Sequence, residues 1–132
     1  MLDWNQVSDW FVMIVDDEPD NLEVLADVFA FHGAEVITAR DGQEGLRQLE
    51  NRQPDLILLD LSMPNMDGWE MHRRIRDDER LKEIPIIAVT AHAMVGDYER
   101  VISAGFDGYI TKPINIRNIL QDIRQTIEAN RH

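Results

Sequence analysis

Five short runs of apolar residues divide this chain, and each is rich in isoleucine, leucine or valine. The runs are bounded by proline, glycine, aspartate or asparagine, and they lie at residues 10–15, 34–39, 55–59, 84–90 and 108–111. Their apolar character is nearly continuous rather than alternating, which is typical of strands covered on both faces of a parallel sheet. The sequence therefore predicts five buried parallel strands.

The segments that follow these runs carry apolar residues at helical spacing. The first, residues 22–29, ends near Gly33, a residue suited to a helix C-cap. The last, residues 116–127, begins after Pro113. Shorter segments of the same kind lie between Asp41 and Arg52, after Gly68 and before Gly105. A strand–helix unit repeated five times predicts an α/β protein, with a doubly wound parallel sheet and helices on both faces.

Charge and composition exclude several classes of function. The net charge is −12, and residues 1–60 carry 14 acidic side chains against three arginines. Such a domain repels phosphate backbones, so we expect no direct binding to nucleic acid. The absence of cysteine excludes disulfides, thiolate catalysis and Cys-ligated metals. No apolar run approaches the roughly 20 residues that span a membrane, so we expect a soluble cytoplasmic domain with no membrane insertion.

Polar side chains stand where the predicted strands end. Asp16 and Asp17 follow the first strand and Asp60 the third, while Thr90 ends the fourth and Lys112 follows the fifth. Ligands of open parallel sheets bind beyond the carboxyl ends of the strands. Clustered carboxylates there need a cation, and an all-oxygen ligand set favours Mg²⁺, or Mn²⁺, over zinc. Each residue alone could cap a helix or a turn, but the set together favours a site.

Four motifs contain these residues: IVDDE at 14–18, LILLDLSMPNMDG at 56–68, VTAHAM at 89–94 and YITKPI at 109–114. Asp60 and Thr90 are 30 residues apart, and Thr90 and Lys112 are 22 apart. This pattern resembles the receiver domain of two-component response regulators. The resemblance implies a CheY-like, flavodoxin-like fold with strand order 2-1-3-4-5. It places the receiver domain at residues 10–131, after an N-terminal extension at residues 1–9.

The resemblance also implies a reaction. Asp60 would accept a phosphoryl group from a sensor histidine kinase or a histidine phosphotransfer protein. Asp17, Asp60 and the backbone carbonyl of Ser62 would bind Mg²⁺ directly, and Asp16 would hold it through water. No classical enzyme is implied, because the domain would catalyse only its own phosphoryl transfer and autodephosphorylation.

A conformational switch is the third implication of the resemblance. Thr90 and Lys112 would contact the phosphoryl group, and Tyr109 would turn inward as Thr90 moves. The face formed by the fourth helix, fifth strand and fifth helix would then bind a downstream target protein. Members of this family usually hold the peptide bond before Pro113 in the cis form.

Three features carry no decisive signal. Trp4 and Trp10 could form an extra packing contact or a dimer surface. The basic residues within 73–82 are expected on a solvated helix face paired with the acids at 77–79, rather than in a partner-binding patch. The four histidines lack ligand spacing and are expected at the surface or its boundary, although His92 could border the phosphoryl pocket.

Alternative functions are set apart by particular residues. A phosphorylation-independent pseudo-receiver scaffold would not require the complete acidic set. A Mg²⁺-dependent phosphohydrolase of the haloacid dehalogenase type carries a second acid two residues after its nucleophile, where this chain has Ser62. A flavodoxin-like cofactor binder needs a phosphate loop after the first strand, but the acidic loop at 16–18 repels phosphate.

Overall fold

The computed structural model describes residues 2–63, 66–91 and 96–130 and contains one parallel sheet in the order β2-β1-β3-β4-β5. This order confirms the predicted fold class. The strand order reverses between β1 and β3, because the chain adds β2 on one side of β1 and then β3, β4 and β5 on the other side. Open parallel sheets bind ligands in the crevice beyond the carboxyl ends of the strands at such a point. The strands are β1 (Phe11–Val15), β2 (Glu35–Ala39), β3 (Leu56–Asp60), β4 (Ile86–Thr90) and β5 (Gly108–Thr111).

Five α-helices accompany the strands in the part of the chain that the structure describes, and their ends follow from local chemistry. Asp41 and Asp67 cap two of them, because each carboxylate accepts a backbone N–H of the first turn at 2.8 and 2.9 Å. Gly33 and Gly105 have positive φ values of 87° and 102° just after two others. Within the described ranges no helix has the length and apolar character to cross a membrane. The helices are α1 (Pro19–Phe31), α2 (Gly42–Leu49), α3 (Gly68–Arg76), α4 (Asp97–Ser103) and α5 (Ile119–Ala129).

Two apolar layers lie on opposite faces of the sheet. Met13 and Val15 of β1 face a layer formed with α2, α3 and α4. Val12 and Ile14 face the other layer, formed with α1 and α5. Successive side chains of a strand point to opposite faces, so a continuous apolar run serves both layers.

The second strand departs from its predicted burial. Its apolar run predicts cover on both faces, but Val36, Ile37 and Thr38 are only half-buried. The reason is topological, because β2 lies at the edge of the sheet and has a strand neighbour on one side only. Its apolar residues therefore identify a strand without revealing its place in the sheet.

The N-terminal segment packs across the amino end of the sheet. The rings of Trp4 and Trp10 meet edge to face with centroids 5.0 Å apart. Leu2, Trp4 and Val7 pack against the apolar layer beneath α1 and α5. The indole N–H of Trp10 donates to the carbonyl of Asp3 at 3.1 Å. Of the two roles left open for these tryptophans, the structure shows the packing contact.

Candidate functional site

Buried polar side chains are rare in the described part of the chain, and three of them lie at the carboxyl end of the sheet. Asp16, Asp60 and Thr90 are 2%, 3% and 5% exposed. They follow or end β1, β3 and β4, which are adjacent strands in the sheet. Because parallel strands share their carboxyl ends, these distant residues reach one place. The predicted cluster is thus assembled by the topology.

Lys112 lies within this cluster and joins its acids. Its Nζ lies 3.0 Å from Oδ2 of Asp16 and 3.3 Å from Oδ2 of Asp60. The exposed carboxylate of Glu18 is 3.6 Å away. The backbone N–H of Lys112 donates to the carbonyl of Thr90 at 2.8 Å, and its peptide bond to Pro113 is cis, as expected. One ammonium group therefore stands between two buried carboxylates.

Burial and a neighbouring carboxylate both disfavour the ionised form of Asp60. Burial raises the pKa of Asp60 to about 6, and the charge of Asp16 adds to the increase. The N–H of Ser62, which donates to Oδ1 at 3.1 Å, and the ammonium of Lys112 act in the opposite direction. Burial alone would lower the pKa of Lys112, but Asp16 and Asp60 outweigh it and the pKa is raised. A further positive charge at the carboxyl end of the sheet would therefore stabilise the ionised form of Asp60.

The loop after β1 supplies the remaining acids. Carboxylate oxygens of Asp16, Asp17 and Glu18 lie within 4.8 Å of one another, and Asp17 is exposed. Asp16 Oδ1 accepts the backbone N–H of Glu18 at 2.9 Å, which fixes the turn into α1. These donors are all oxygen, and Asp60 adds another across the crevice. Such a set fits the preferences of Mg²⁺ and Mn²⁺. Glu18 is the one acid here that the sequence pattern did not single out.

Gly68 lets the loop after β3 close against the site. A Cβ atom at this position would lie 2.3 Å from the carbonyl oxygen of Asp60 and 2.8 Å from Cα of Leu61. Its N–H also donates to the carbonyl of Leu61 at 3.2 Å. Only a residue without a side chain allows α3 to begin so near Asp60. Pro64, in the same loop, lies outside the described residues.

The two predicted switch residues border one cavity. Thr90 and Tyr109 line a space of about 190 Å³, together with Ser62, Trp69 and Arg100. The pKa of Tyr109 is raised by burial and by the charge of Asp97. Its ring meets that of Tyr98 edge to face at 5.9 Å. His92 lies outside the described residues.

His72 is a buried residue, contrary to the expectation of a surface or boundary position. It is 4% exposed, and its ring stacks on Phe106 with centroids 3.9 Å apart. Burial, and then the charge of Arg76, lowers the pKa of His72 to about 4. The helical spacing of the sequence indicates this burial, since His72 lies on the same face of α3 as residues 68, 71 and 75, which are also buried.

The basic residues near α3 are paired as expected, with two differences. Lys82 pairs with Glu79 and Arg80 with Asp78, but Arg73 and Arg74 pair with Glu70 within their own helix. Arg76 instead holds separate segments together. It donates to the carbonyls of Lys82, Ile84 and Gly105 and to the carboxylate of Asp107.

Comparisons with known proteins agree with this geometry. A family model described as the response regulator receiver domain matches residues 12–124, which include every strand-end residue of the cluster. Polar-differentiation response regulators named DivK, from Brucella ovis and Brucella suis, are 42% identical over 113 residues, covering 86% of this chain and 92% of theirs.

Solved structures of receiver domains and response regulators have the same fold. The chemotaxis response regulator CheY4 of Vibrio cholerae is 27% identical with a TM-score of 0.82, covering 89% of this chain and 98% of that chain. The signal receiver domain of a signal transduction histidine kinase from Syntrophus aciditrophicus is 30% identical with a TM-score of 0.79, covering 92% of each chain.

Proposed function

The chain belongs to the response regulator receiver family, and from this premise we propose that Asp60 accepts a phosphoryl group in a Mg²⁺-dependent step. One observation carries the proposal: a single ammonium, that of Lys112, contacts buried carboxylates from two adjacent strands. A buried acid with a raised pKa, beside a movable cation in a crevice, has the character of a functional site.

The reaction requires little covalent machinery. An oxygen of the Asp60 carboxylate attacks the phosphorus of a phosphohistidine, and the phosphorus–nitrogen bond breaks with its electron pair left on the imidazole. Asp17, Asp60 and the carbonyl of Ser62 would hold Mg²⁺ or Mn²⁺ directly, and Asp16 through water. The bound ion would neutralise charge on the three equatorial phosphoryl oxygens.

The residues around Asp60 have separate tasks after the transfer. Lys112 exchanges its contact with Asp60 for one with a phosphoryl oxygen, which a compact and flexible ammonium can do. The hydroxyl of Thr90, at the end of the neighbouring strand, turns toward the same group. The phosphoryl group carries a charge of about −1.5 to −2 in place of the single charge of the carboxylate, and it is contacted by two residues, one on β4 and one in the loop after β5.

Output by protein contact is the second part of the proposal. The donor is a sensor histidine kinase or a histidine phosphotransfer protein, and the recipient of the signal is a downstream target protein. Tyr109 borders the cavity beside Thr90, which supports a readout face formed by α4, β5 and α5. The DivK relatives consist almost entirely of the matched region, which supports output without an attached effector domain.

Incubation with acetyl phosphate, followed by intact mass measurement, tests the acceptor. We expect the mass to increase by one phosphoryl group when Mg²⁺ is present, and to stay unchanged with a chelator or in Asp60→Asn. Asp27→Asn changes an exposed acid on α1 and should be phosphorylated like the wild type. No mass increase in the wild type under any condition would favour the pseudo-receiver scaffold.

A further inference from the structure

Tyr109 lines two spaces. One is the cavity of about 190 Å³ that it shares with Thr90 and Trp69. The other is a groove of about 470 Å³ that Thr126 of α5 also lines. The cavity beside Thr90 is therefore an empty volume next to Tyr109. We call the observed position of the ring, outside this cavity and in contact with Tyr98, the outward position.

The ring of Tyr98 contacts the ring of Tyr109. The two rings meet edge to face at 5.9 Å and 84°, one from α4 and one from β5. The Tyr98 hydroxyl donates to Oδ1 of Asn130 at 2.7 Å, just after the end of α5. This hydrogen bond fixes the position of the Tyr98 ring relative to α5, although the residue is 44% exposed.

The amide of Asn130 is itself held in one orientation. Its Nδ2 donates to the carbonyl of Thr126 at 2.7 Å, which leaves Oδ1 for Tyr98. The hydroxyl of Thr126 accepts the backbone N–H of Tyr109 at 2.9 Å and lies 3.3 Å from its carbonyl oxygen. A closed circuit therefore runs from Tyr98 through Asn130 and Thr126 to the backbone of Tyr109, and the ring contact completes it.

We propose that Tyr98, anchored by Asn130, is a latch that holds the Tyr109 ring in its outward position and so opposes the phosphorylated state. A contact that exists in only one of two conformations favours that conformation by its own free energy. Inward movement of Tyr109 removes the ring contact and leaves the Tyr98–Asn130 pair exposed between α4 and α5. The latch regulates the site proposed above, so its link to phosphorylation rests on the proposed function.

The first test needs no phosphoryl group. The chain has only two tyrosines, so 3-fluorotyrosine labelling gives two fluorine resonances, and Tyr98→Phe identifies that of Tyr109. We expect the Tyr109 resonance to lose part of its H₂O/D₂O solvent shift in Tyr98→Phe and in Asn130→Ala, because the ring moves inward. Arg124→Gln removes the exposed ion pair with Glu128 on α5 and should leave the resonance unchanged.

The second test measures linkage to the site. Without the latch, the affinity for beryllofluoride with Mg²⁺ should rise about two- to fivefold, the range expected for one exposed hydrogen bond. Asn130→Ala also removes the hydrogen bond to the carbonyl of Thr126. Adding Tyr98→Phe to Asn130→Ala should therefore change nothing further, since the Tyr98–Asn130 bond is already absent. Unchanged resonance and affinity, or effects that add in the double variant, would overturn the latch. If the Tyr109 resonance shifts but the wild type binds no beryllofluoride, the latch stands and the proposed function fails.

Discussion

The two ends of the sheet are built on opposite principles. At the amino end, residues 2–10 bring apolar side chains together, and the one buried indole N–H of this segment, that of Trp10, is hydrogen-bonded. At the carboxyl end, Asp16 and Asp60 are withdrawn from water with one ammonium between them. Burial of apolar surface stabilises the fold, whereas burial of surplus charge destabilises it. The amino end therefore offsets the cost of maintaining a site at the other end.

Trp10→Ala gives the largest expected effect and tests the amino end. Trp10 is almost fully buried, and removal of such a ring costs about 3 to 5 kcal/mol of unfolding free energy, measured in urea. Magnesium affinity should not change, because the site lies at the far end of the strands. Phe31→Ala is the control, since that ring is 87% exposed and should matter by less than about 0.5 kcal/mol. A coupled loss of magnesium affinity would contradict the division of roles.

His72, on the buried face of α3 and at neither end of the sheet, should make the stability of the fold depend on pH. Its pKa is lowered from 6.5 to about 4 in the folded protein. Between these values the unfolded chain binds a proton that the folded protein does not, so stability rises with pH from 4 to 6.5. The gain is about 3 kcal/mol. It is measured as the difference between wild type and His72→Gln across this range, and parallel pH profiles would refute it.

Asp60 should act with the opposite sign in an overlapping range of pH. Its pKa is raised from 3.8 to about 6, so the folded protein keeps a proton that the unfolded chain has lost. Stability therefore falls as pH rises through this window and stays reduced above it. Without divalent cations, Asp60→Asn should be more stable than the wild type by about 2 to 3 kcal/mol near neutral pH. If Asp60→Asn were less stable than the wild type, the ionised carboxylate would not destabilise the fold and the prediction would be wrong.

Asp17→Asn has the smallest expected effect and distinguishes two possible ligand sets. Asp17 lies near both Asp16 and Glu18. We expect a loss of magnesium affinity of at least about tenfold, a size that even supporting residues of metal sites reach. Glu18→Gln, at an exposed carboxylate, should change the affinity by less than about threefold. Tryptophan fluorescence during a Mg²⁺ titration measures both. Equal losses would instead favour the cluster of Asp16, Asp17 and Glu18 as the metal site.

The sequence pattern predicts the strands and the polar cluster at their carboxyl ends, because both depend on local pattern and on parallel topology. Each apolar run that stops at Asp16, Asp60 or Thr90 predicts both a strand and the polar residue at its end. The apolar pattern of β2 does not reveal its edge position, since the number of strand neighbours depends on the order of the sheet, which only the family resemblance supplied. The burial of His72 needed the helical spacing of α3 to be given more weight than the polarity of histidine.

Contacts between residues far apart in the chain were beyond the sequence pattern. The Tyr98–Asn130 hydrogen bond depends on where α4 and α5 come to lie, and no periodicity specifies this. The use of Arg76 to join Ile84 with Gly105 and Asp107 is of the same kind. The N-terminal residues also gave two readings, because a tryptophan pair packs equally well within a chain or between two copies.

The proposed function requires one divalent ion between the loop after β1 and the end of β3. Anomalous diffraction from crystals grown with Mn²⁺ tests it most directly. We expect a single strong peak within coordination distance of both Asp17 and Asp60, with Asp16 close enough to share a water. A peak held by Asp17 and Glu18 alone, or no peak at this end of the sheet, would contradict it.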